Sequence, residues 1–184
     1  MKNILKTEIQ KLVNSKQVNK AALEKMLTQL DKEENLTRPQ NPQDHFCAFF
    51  LPIHKKSKSI YLGDHIKAGS WIPPGGHIEL NEHPIETVIR EFQEELKYRP
   101  DKKDIQLFDL SIVKIINNPR SGACRTHFDI WYIVEMKEKI NFDFDPGEYK
   151  TAKWFSLEDG VQKVTDLTYN KIIKKLNDEK IFHW

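Results

Sequence analysis

Residues 71–98, WIPPGGHIELNEHPIETVIREFQEELKY, decide the fold because they join a glycine-rich loop to an acidic segment with helical spacing. Pro84 suits the first turn of a helix, since an amide proton there would have no partner within the helix. At about 100° per residue, Glu91, Glu94 and Glu95 fall on one face. The opposite face is apolar and consists of Ile85, Val88, Ile89, Phe92 and Leu96. The stretch therefore predicts an amphipathic helix with an acidic edge.

The acidic edge has two explanations. A run of glutamates on a helix is commonly an exposed, solvated face. However, like charges three and four residues apart repel by some tenths of a kcal/mol, and a divalent cation with oxygen ligands, Mg²⁺ or Mn²⁺, would remove that repulsion. The neighbouring Gly75 and Gly76 allow a sharp turn and a close approach of the backbone to a ligand. Loop and helix together favour a site for metal and phosphate.

The flanking segments predict strands on both sides of this helix. Residues 45–53 and 59–64 are rich in β-branched and aromatic residues and predict a hairpin. A longer hairpin is predicted from residues 104–116 and 124–136, joined by a turn at residues 117–122. Strands around a single mid-chain helix, with a further helix at the end, predict a mixed α/β sandwich.

The chain divides into three predicted parts. Residues 1–36 show helical amphipathicity in two pieces and form an N-terminal helical segment. Residues 37–44, TRPQNPQD, lack periodicity and contain two prolines, so they predict a linker. Residues 45–184 form the main domain, with a strand at 151–157 and a closing helix at 166–180.

Composition sets limits on partners and compartment. With 184 residues, 39% of them hydrophobic, the chain is long enough for one ordinary core. A net charge of +2 favours neither wrapping of nucleic acid nor a role at a membrane surface, and no apolar run approaches twenty residues. Cys47 and Cys124 lie far apart and predict reduced thiols rather than a disulfide. We therefore expect a cytoplasmic protein, and the charge balance is compatible with a nucleotide-sized partner.

The stretch from Gly76 to Tyr98 resembles the signature of the Nudix hydrolases: glycine, five residues, glutamate, seven residues, then R-E-apolar-x-E-E-x-G-apolar. The matching residues are Gly76, Glu82, Arg90, Glu91, Phe92, Glu94, Glu95 and Tyr98. Lys97 stands where the family has a glycine that ends the helix. A side chain in that conformation costs about 1 kcal/mol. Either Lys97 tolerates the conformation or the helix continues towards Pro100.

The resemblance covers about residues 45–160 and implies a Nudix-type α/β/α sandwich. It further implies Mg²⁺- or Mn²⁺-dependent attack of water on a nucleoside diphosphate linked to another moiety. By the same resemblance the metal ligands are three carboxylates and one backbone carbonyl, those of Glu91, Glu94, Glu95 and Gly76. Arg90 and Glu82 would form an ion pair that orients the acidic helix.

Some candidate residues lie outside these positions. Glu148, six residues before Trp154, resembles a loop acid that many relatives place near the metals, although it also suits an exposed turn. Glu79 is a further loop acid, and His77 is near the expected phosphates. Positively charged side chains that could reach phosphate, or remain solvated in a loop, are Arg120 and Arg125.

Several substrates remain open. A nucleoside triphosphate or oxidised nucleotide, as for the house-cleaning hydrolases, is our first expectation. The alternatives are nucleotide sugars or other diphosphate conjugates, and a regulatory protein that binds nucleotides without hydrolysis. A capped RNA end is disfavoured because the sequence has no basic stripe. The N-terminal helices either pack on the domain or mediate homodimerisation, since their apolar faces require burial.

Overall fold

The computed structural model describes residues 1–115 and 122–178. Arg120 and most of the predicted turn at 117–122 lie outside these residues. The described elements are α1 (Lys2–Gln10), α2 (Lys20–Lys32), β1 (Asp44–His54), β2 (Ser59–His65), β3 (Ser70–Ile72), β4 (Gly75–His77), α3 (Pro84–Leu96), β5 (Ile105–Lys114), β6 (Thr126–Glu135), β7 (Tyr149–Ser156), α4 (Leu157–Lys163) and α5 (Leu167–Asp178).

These strands form one mixed seven-stranded sheet. Its main path runs β3-β2-β1-β6-β5, while β4 pairs with β1 and β7 pairs with β2. The pairs β1–β2 and β5–β6 are antiparallel, which confirms both predicted hairpins. The central pair β1–β6 is parallel over ten positions. The long parallel pair fixes which side chains of β1 and β6 lie beside one another on each face.

Each face of the sheet carries its own apolar core. Alternate residues of β1 belong to different cores, since successive side chains of a strand point to opposite faces of the sheet. Phe46 and Phe50 belong to the core shared with α1, α2 and α3, whereas Phe49 and Leu51 belong to the core shared with α4 and α5. Helices therefore cover both faces of the sheet, and the predicted α/β/α sandwich is confirmed.

The N-terminal helices pack on the sheet through buried polar contacts as well as apolar ones. Glu8 of α1 is 3% exposed and accepts a hydrogen bond of 2.9 Å from the hydroxyl of Tyr132 in β6. At the start of α2, the backbone amide of Asn19 donates to the buried carboxylate of Asp109 at 2.9 Å. Packing on the domain is thus observed, and homodimerisation stays a prediction. Over residues 1–115 and 122–178, no helix has both the length and the apolar character of a membrane span.

Helix α3 begins and ends by local rules. His83 caps its start, where the ring Nδ1 accepts a hydrogen bond of 3.2 Å from the amide of Ile85. The helix ends at Leu96 because Lys97 adopts a left-handed conformation with φ of 50°. The ammonium group of Lys97 donates to the carbonyl of Glu94 at 2.8 Å and so satisfies a carbonyl of the last turn. Lysine accordingly takes the helix-ending conformation of the usual glycine.

Candidate active site

The glycine turn places backbone directly against a carboxylate of α3. A Cβ atom on Gly76 would lie 2.0 Å from Oε1 of Glu91, and one on Gly75 would lie 2.5 Å from the carbonyl oxygen of Ala48. Gly75 also has a φ of 148°, a conformation that residues with side chains rarely adopt. Gly76 therefore leaves room for Glu91 against β4, and Gly75 lets β4 lie directly against β1.

Arg90 braces the acidic side of α3. Its Nε and Nη2 donate to the two oxygens of Glu82 at 2.9 and 3.1 Å, so the ion pair expected from the sequence is present. Its Nη1 donates to Glu91 at 2.8 Å and to Glu94 at 3.1 Å. A further bond of 3.0 Å from Nη2 reaches the carbonyl of His77. One guanidinium thus fixes two of the three expected metal-binding carboxylates relative to the glycine turn.

Glu95 is the most buried of the three carboxylates of the predicted site. It is 5% exposed, and its Oε2 accepts hydrogen bonds from the Tyr149 hydroxyl at 2.9 Å and the Gly75 amide at 3.1 Å. Burial, followed by the charge of Glu91, raises the pKa of Glu95 well above its usual range. Burial also raises the pKa of Glu91, against the opposing effect of Arg90. A buried and a half-buried carboxylate that resist ionisation together favour a bound cation.

These residues fit a hard divalent cation. The side chains of Glu91, Glu94 and Glu95 supply carboxylate oxygens, and the tight contact between Glu91 and Gly76 brings a backbone carbonyl into the same region. Magnesium and manganese prefer such oxygen ligands. Glu94 is 59% exposed at its side chain and reaches solvent more readily than Glu95.

A cavity of about 820 Å³ opens beside these carboxylates. This volume is within the range of small-molecule sites. Basic side chains on its wall are those of Arg38, Lys67, Lys97 and Lys114, and an apolar part of the wall includes Phe49, Ile72, Val113 and Tyr169. The cavity therefore combines carboxylates, cations and an apolar surface, which suits a heterocycle carrying phosphates.

Glu148 lines the same cavity, and its role near a metal stays a prediction. Its carboxylate receives the ammonium of Lys67 at 2.7 Å and lies 3.4 Å from Nε2 of His65. Its charge contributes to the raised pKa of Glu95. Glu148 is thus held near the three glutamates of α3 by groups from the segment around residue 66.

The other predicted site residues differ in whether they line the cavity. His77 lines the cavity, and burial lowers its pKa to about 3. Glu79 is exposed, and its backbone amide donates to Glu82 at 3.0 Å. Arg125 is exposed as well. In the part of the chain that the structure describes, neither Glu79 nor Arg125 lines the cavity, and the counterpart candidate Arg120 is not described.

Sequence reasoning missed several residues of this site. Tyr149 follows Glu148 directly, yet its bond to Glu95 depends on β7 pairing with β2 rather than on any spacing in the chain. Arg38 lies in the predicted linker and reaches the cavity from there. Lys67 follows the second strand without a motif. Only the assembled sheet brings these side chains together.

Comparison with known proteins agrees with this fold. The family model of the NUDIX domain matches residues 30–176, and the chain therefore belongs to the Nudix family. Its relatives include a probable DHNTP pyrophosphohydrolase of Lactococcus lactis, 32% identical over 100 residues that span 54% of this chain and 58% of that protein. An RNA pyrophosphohydrolase of Hydrogenovibrio crunogenus is 25% identical over 146 residues, covering 72% of this chain and 88% of that one.

Among solved structures, the dihydroneopterin triphosphate pyrophosphohydrolase of E. coli superimposes with a TM-score of 0.64 at 14% identity. The superposition covers 79% of this chain and 99% of the E. coli protein, and it shows a shared fold. The first relative named above is matched over little more than half of its length, 58%. Activity and substrate therefore need their own argument from the site.

Proposed function

We propose that the protein is a divalent-cation-dependent hydrolase that cleaves a phosphoric anhydride in a heterocyclic triphosphate. The observation that carries the proposal is that the buried Glu95 and the half-buried Glu91 both lie against the glycine turn. The raised pKa values of both carboxyls mark a site whose charge calls for a cation. The Nudix family uses such cations in general, and Mg²⁺ is our choice, with Mn²⁺ as the alternative.

The residues that would hold the cation are Glu91, Glu94, Glu95 and the carbonyl of Gly76. When bound, the ion supplies charge neutralisation at the phosphates and lowers the pKa of a water molecule. The protein supplies the positioning. Arg90 holds Glu91 and Glu94 at 2.8 and 3.1 Å, and the Tyr149 hydroxyl holds Glu95 at 2.9 Å. Such preorganisation matters because phosphoryl transfer depends chiefly on position and charge.

Glu148 is our candidate for the general base. It would accept the proton of the attacking water, while Lys67 at 2.7 Å keeps the carboxylate in place. Glu91, Glu94 and Glu95 serve less well as bases if their oxygens bind the cation. The cavity cations Arg38, Lys97 and Lys114 are available to the charge of the phosphate chain.

The substrate is proposed from the apolar wall and from the relatives. Phe49 and Tyr169, whose ring centroids are 5.1 Å apart, offer aromatic surface to a planar heterocycle. Two relatives carry the name of a dihydroneopterin triphosphate pyrophosphohydrolase. We therefore propose a pteridine or purine triphosphate, cleaved between the α- and β-phosphates with release of pyrophosphate.

A substrate panel tests this function. Purified protein with Mg²⁺ should release pyrophosphate from dihydroneopterin triphosphate or a nucleoside triphosphate, faster than it acts on nucleotide sugars or 5′-triphosphorylated RNA. The matched control is Glu95→Gln, which keeps the shape of the side chain and removes its charge. Turnover that is equal in the control would contradict the assigned site. Tight binding of a nucleotide without any turnover would favour the regulatory alternative.

A further inference from the structure

A second group of side chains that could hold a metal lies beside the carboxylate site and lines part of the same cavity. It consists of His45, Cys47, His77 and His127, from three different strands. Their ligand atoms all lie within 4.8 Å of one another. We refer to these four residues as the histidine cluster. The α3 carboxylates take no part in it.

The sheet register explains why the four side chains meet. His45 lies beside His127 in the parallel pair β1–β6, and Cys47 lies beside His77 in the antiparallel pair β1–β4. Since His45 and Cys47 are two residues apart on one strand, they share a face. Cys47 belongs to the core on the side of α4 and α5. The histidine cluster is therefore built into rigid strands rather than loops.

The three imidazole rings form a compact triangle. Ring centroids are separated by 4.8 Å for His45 and His77, 5.1 Å for His45 and His127, and 5.3 Å for His77 and His127. Edge-to-face packing of neutral rings accounts for part of this arrangement. Ring packing does not explain why the three imidazoles also bring their nitrogen atoms within 4.8 Å of one another.

His127 has polar atoms that the surrounding protein does not satisfy. Both of its ring nitrogens are buried, and neither has a hydrogen-bond partner among the described residues. A buried polar atom without a partner is rare and destabilising in a native protein. On the same strand, Oδ1 of Asp129 is also buried and lacks a partner within the described part of the chain. A bound cation would give the His127 nitrogen a ligand bond and Asp129 a nearby charge.

His45 is already oriented as metal-binding histidines are. Its Nδ1 lies 2.9 Å from the carbonyl of Asn41, to which the protonated nitrogen donates. The lone pair then resides on Nε2. This pattern, in which one ring nitrogen bonds a backbone carbonyl and the other binds the metal, is common at zinc sites.

The donor types decide which ion fits. Nitrogen and sulfur ligands suit zinc and similar transition metals, whereas magnesium prefers oxygen. In tetrahedral zinc sites, ligand atoms are separated by roughly 3.3–3.8 Å, as follows from metal–ligand distances of about 2.0–2.3 Å. The four ligand atoms of the histidine cluster lie within 4.8 Å of one another, so they would have to move only slightly closer together to bind an ion. The cavity wall includes Cys47, His77 and His127, which gives an ion a path of entry.

We infer that the histidine cluster binds one zinc-type transition-metal ion, with His45, Cys47, His77 and His127 as ligands, at a site separate from the carboxylates of α3. The Cys47 thiol loses its proton to solvent on binding, because the thiolate is the form that binds metal. The ion would connect β1, β4 and β6. Cys124 lies close by, with its Sγ 3.7 Å from Nε2 of His45, and is the competing sulfur ligand.

Cobalt titration of the full-length chain tests the site without substrate. With excess Mg²⁺ present to occupy the α3 carboxylates, Co²⁺ added to reduced protein should bind as one tight equivalent and give the intense visible bands of tetrahedral cobalt together with a thiolate charge-transfer band. Zn²⁺ should displace it and abolish the colour. The matched control Glu95→Gln should leave the spectrum unchanged, since it alters only the carboxylate site.

Variants of the histidine cluster separate the inference from its alternatives. His127→Gln and His45→Gln should each weaken Co²⁺ binding by more than about 100-fold, which exceeds the loss seen for residues that merely support a ligand. Cys47→Ser should remove the charge-transfer band. Circular dichroism would confirm that each variant is folded. If one of the two histidine variants does not fold, the other still tests the inference.

Three results would overturn the inference. The first is the weak spectrum of octahedral cobalt. The second is binding that Glu95→Gln abolishes and His127→Gln leaves intact, which would place the ion at α3. The third is a charge-transfer band that survives Cys47→Ser and disappears in Cys124→Ser, which would make Cys124 the sulfur ligand. None of these outcomes depends on whether the protein hydrolyses a triphosphate.

Discussion

Glu8 and Glu95 are two buried glutamates with similar partners and opposite surroundings. They are 3% and 5% exposed, and each accepts a hydrogen bond of 2.9 Å from a tyrosine hydroxyl. Glu8 also has cationic or ionisable neighbours, since Oε2 contacts the ammonium of Lys11 and lies 3.3 Å from Nε2 of His83. Glu95 instead experiences the negative charges of Glu91 and Glu148.

The difference separates a carboxylate that the fold satisfies from one that we propose binds a cation. Burial and a tyrosine partner are common to both sites, so neither property identifies function. What differs is the sign of the surrounding charge. A buried carboxylate with a cation and hydrogen-bond donors nearby is satisfied in the metal-free fold, so its removal is destabilising because a buried donor such as the Tyr132 hydroxyl loses its partner. A buried carboxylate among other carboxylates destabilises the metal-free fold and favours a bound cation.

The largest expected effect is on catalysis at Glu95. The Glu95→Gln variant should lose roughly a hundredfold or more of its cation-dependent turnover, because a charge that binds the cation is gone and each factor of ten is about 1.4 kcal/mol. Steady-state rates of pyrophosphate release at saturating Mg²⁺ measure this. The same substitution at the other site, Glu8→Gln, should leave turnover per folded molecule unchanged. Equal losses in both variants would refute the distinction.

The second effect is on stability, and its sign should differ between the sites. Glu8→Gln should lower the free energy of unfolding by about 1–3 kcal/mol, because the amide no longer pairs with Lys11 and places a donor beside other donors. Glu95→Gln should raise the stability of metal-free protein near neutral pH. Urea denaturation in the presence of a chelator measures both changes. A shared sign would contradict the role assigned to the surrounding charges.

The third effect concerns the two tyrosines. Tyr149→Phe removes a donor that favours the ionised form of Glu95, so the Mg²⁺ concentration for half-maximal turnover should rise about tenfold. Excess Mg²⁺ should restore most of the rate. Tyr132→Phe removes the matching donor to Glu8 and should lower stability without a change in Mg²⁺ dependence. A shift in Mg²⁺ dependence for Tyr132→Phe would show that the comparison is incomplete.

The smallest expected effect is a pH dependence. The pKa of Glu95 is higher in the folded protein than in the unfolded chain. At a pH between these two pKa values, the carboxyl is ionised in the unfolded chain and still protonated in the folded protein. Stability of metal-free protein should therefore fall as pH rises above about 4.3, by at most about 1.4 kcal/mol per pH unit for this group. Glu91 adds a change of the same sign.

Unfolding in urea and chelator, measured from about pH 5 to about pH 8, gives this profile. The Glu95→Gln variant should have a flatter profile than the wild type over the same range. Added Mg²⁺ should flatten the slope, because cation binding favours the ionised carboxylates in the folded protein. A wild-type profile that is identical to the profile of Glu95→Gln would contradict the burial effect.

The sequence predicted those features of the fold and site whose residues lie close to one another along the chain. The helix from Pro84, its acidic face and the pair of Arg90 with Glu82 all follow from spacings within fifteen residues, and the structure confirms them. The two hairpins likewise follow from neighbouring segments. Local patterns were sufficient wherever the partners are close in sequence.

Contacts across the sheet were not visible. The bond from Tyr149 to Glu95 joins residues 54 positions apart, and the bond from Tyr132 to Glu8 joins residues 124 apart. Register decides such contacts, and a single sequence does not give register between distant strands. The same reason applies to His45 and His127, which became neighbours only through the parallel pairing of β1 with β6.

His83 connects α1 to α3, the helix that carries the proposed metal ligands. The family model begins at residue 30 and so leaves α1 outside the shared domain. Yet His83 both caps α3 and lies 3.3 Å from Glu8 of α1. Any partner that pulls α1 away would therefore disturb the first turn of the helix that carries Glu91 and Glu95. By thermodynamic reciprocity, occupancy of the carboxylate site would then tighten the docking of α1.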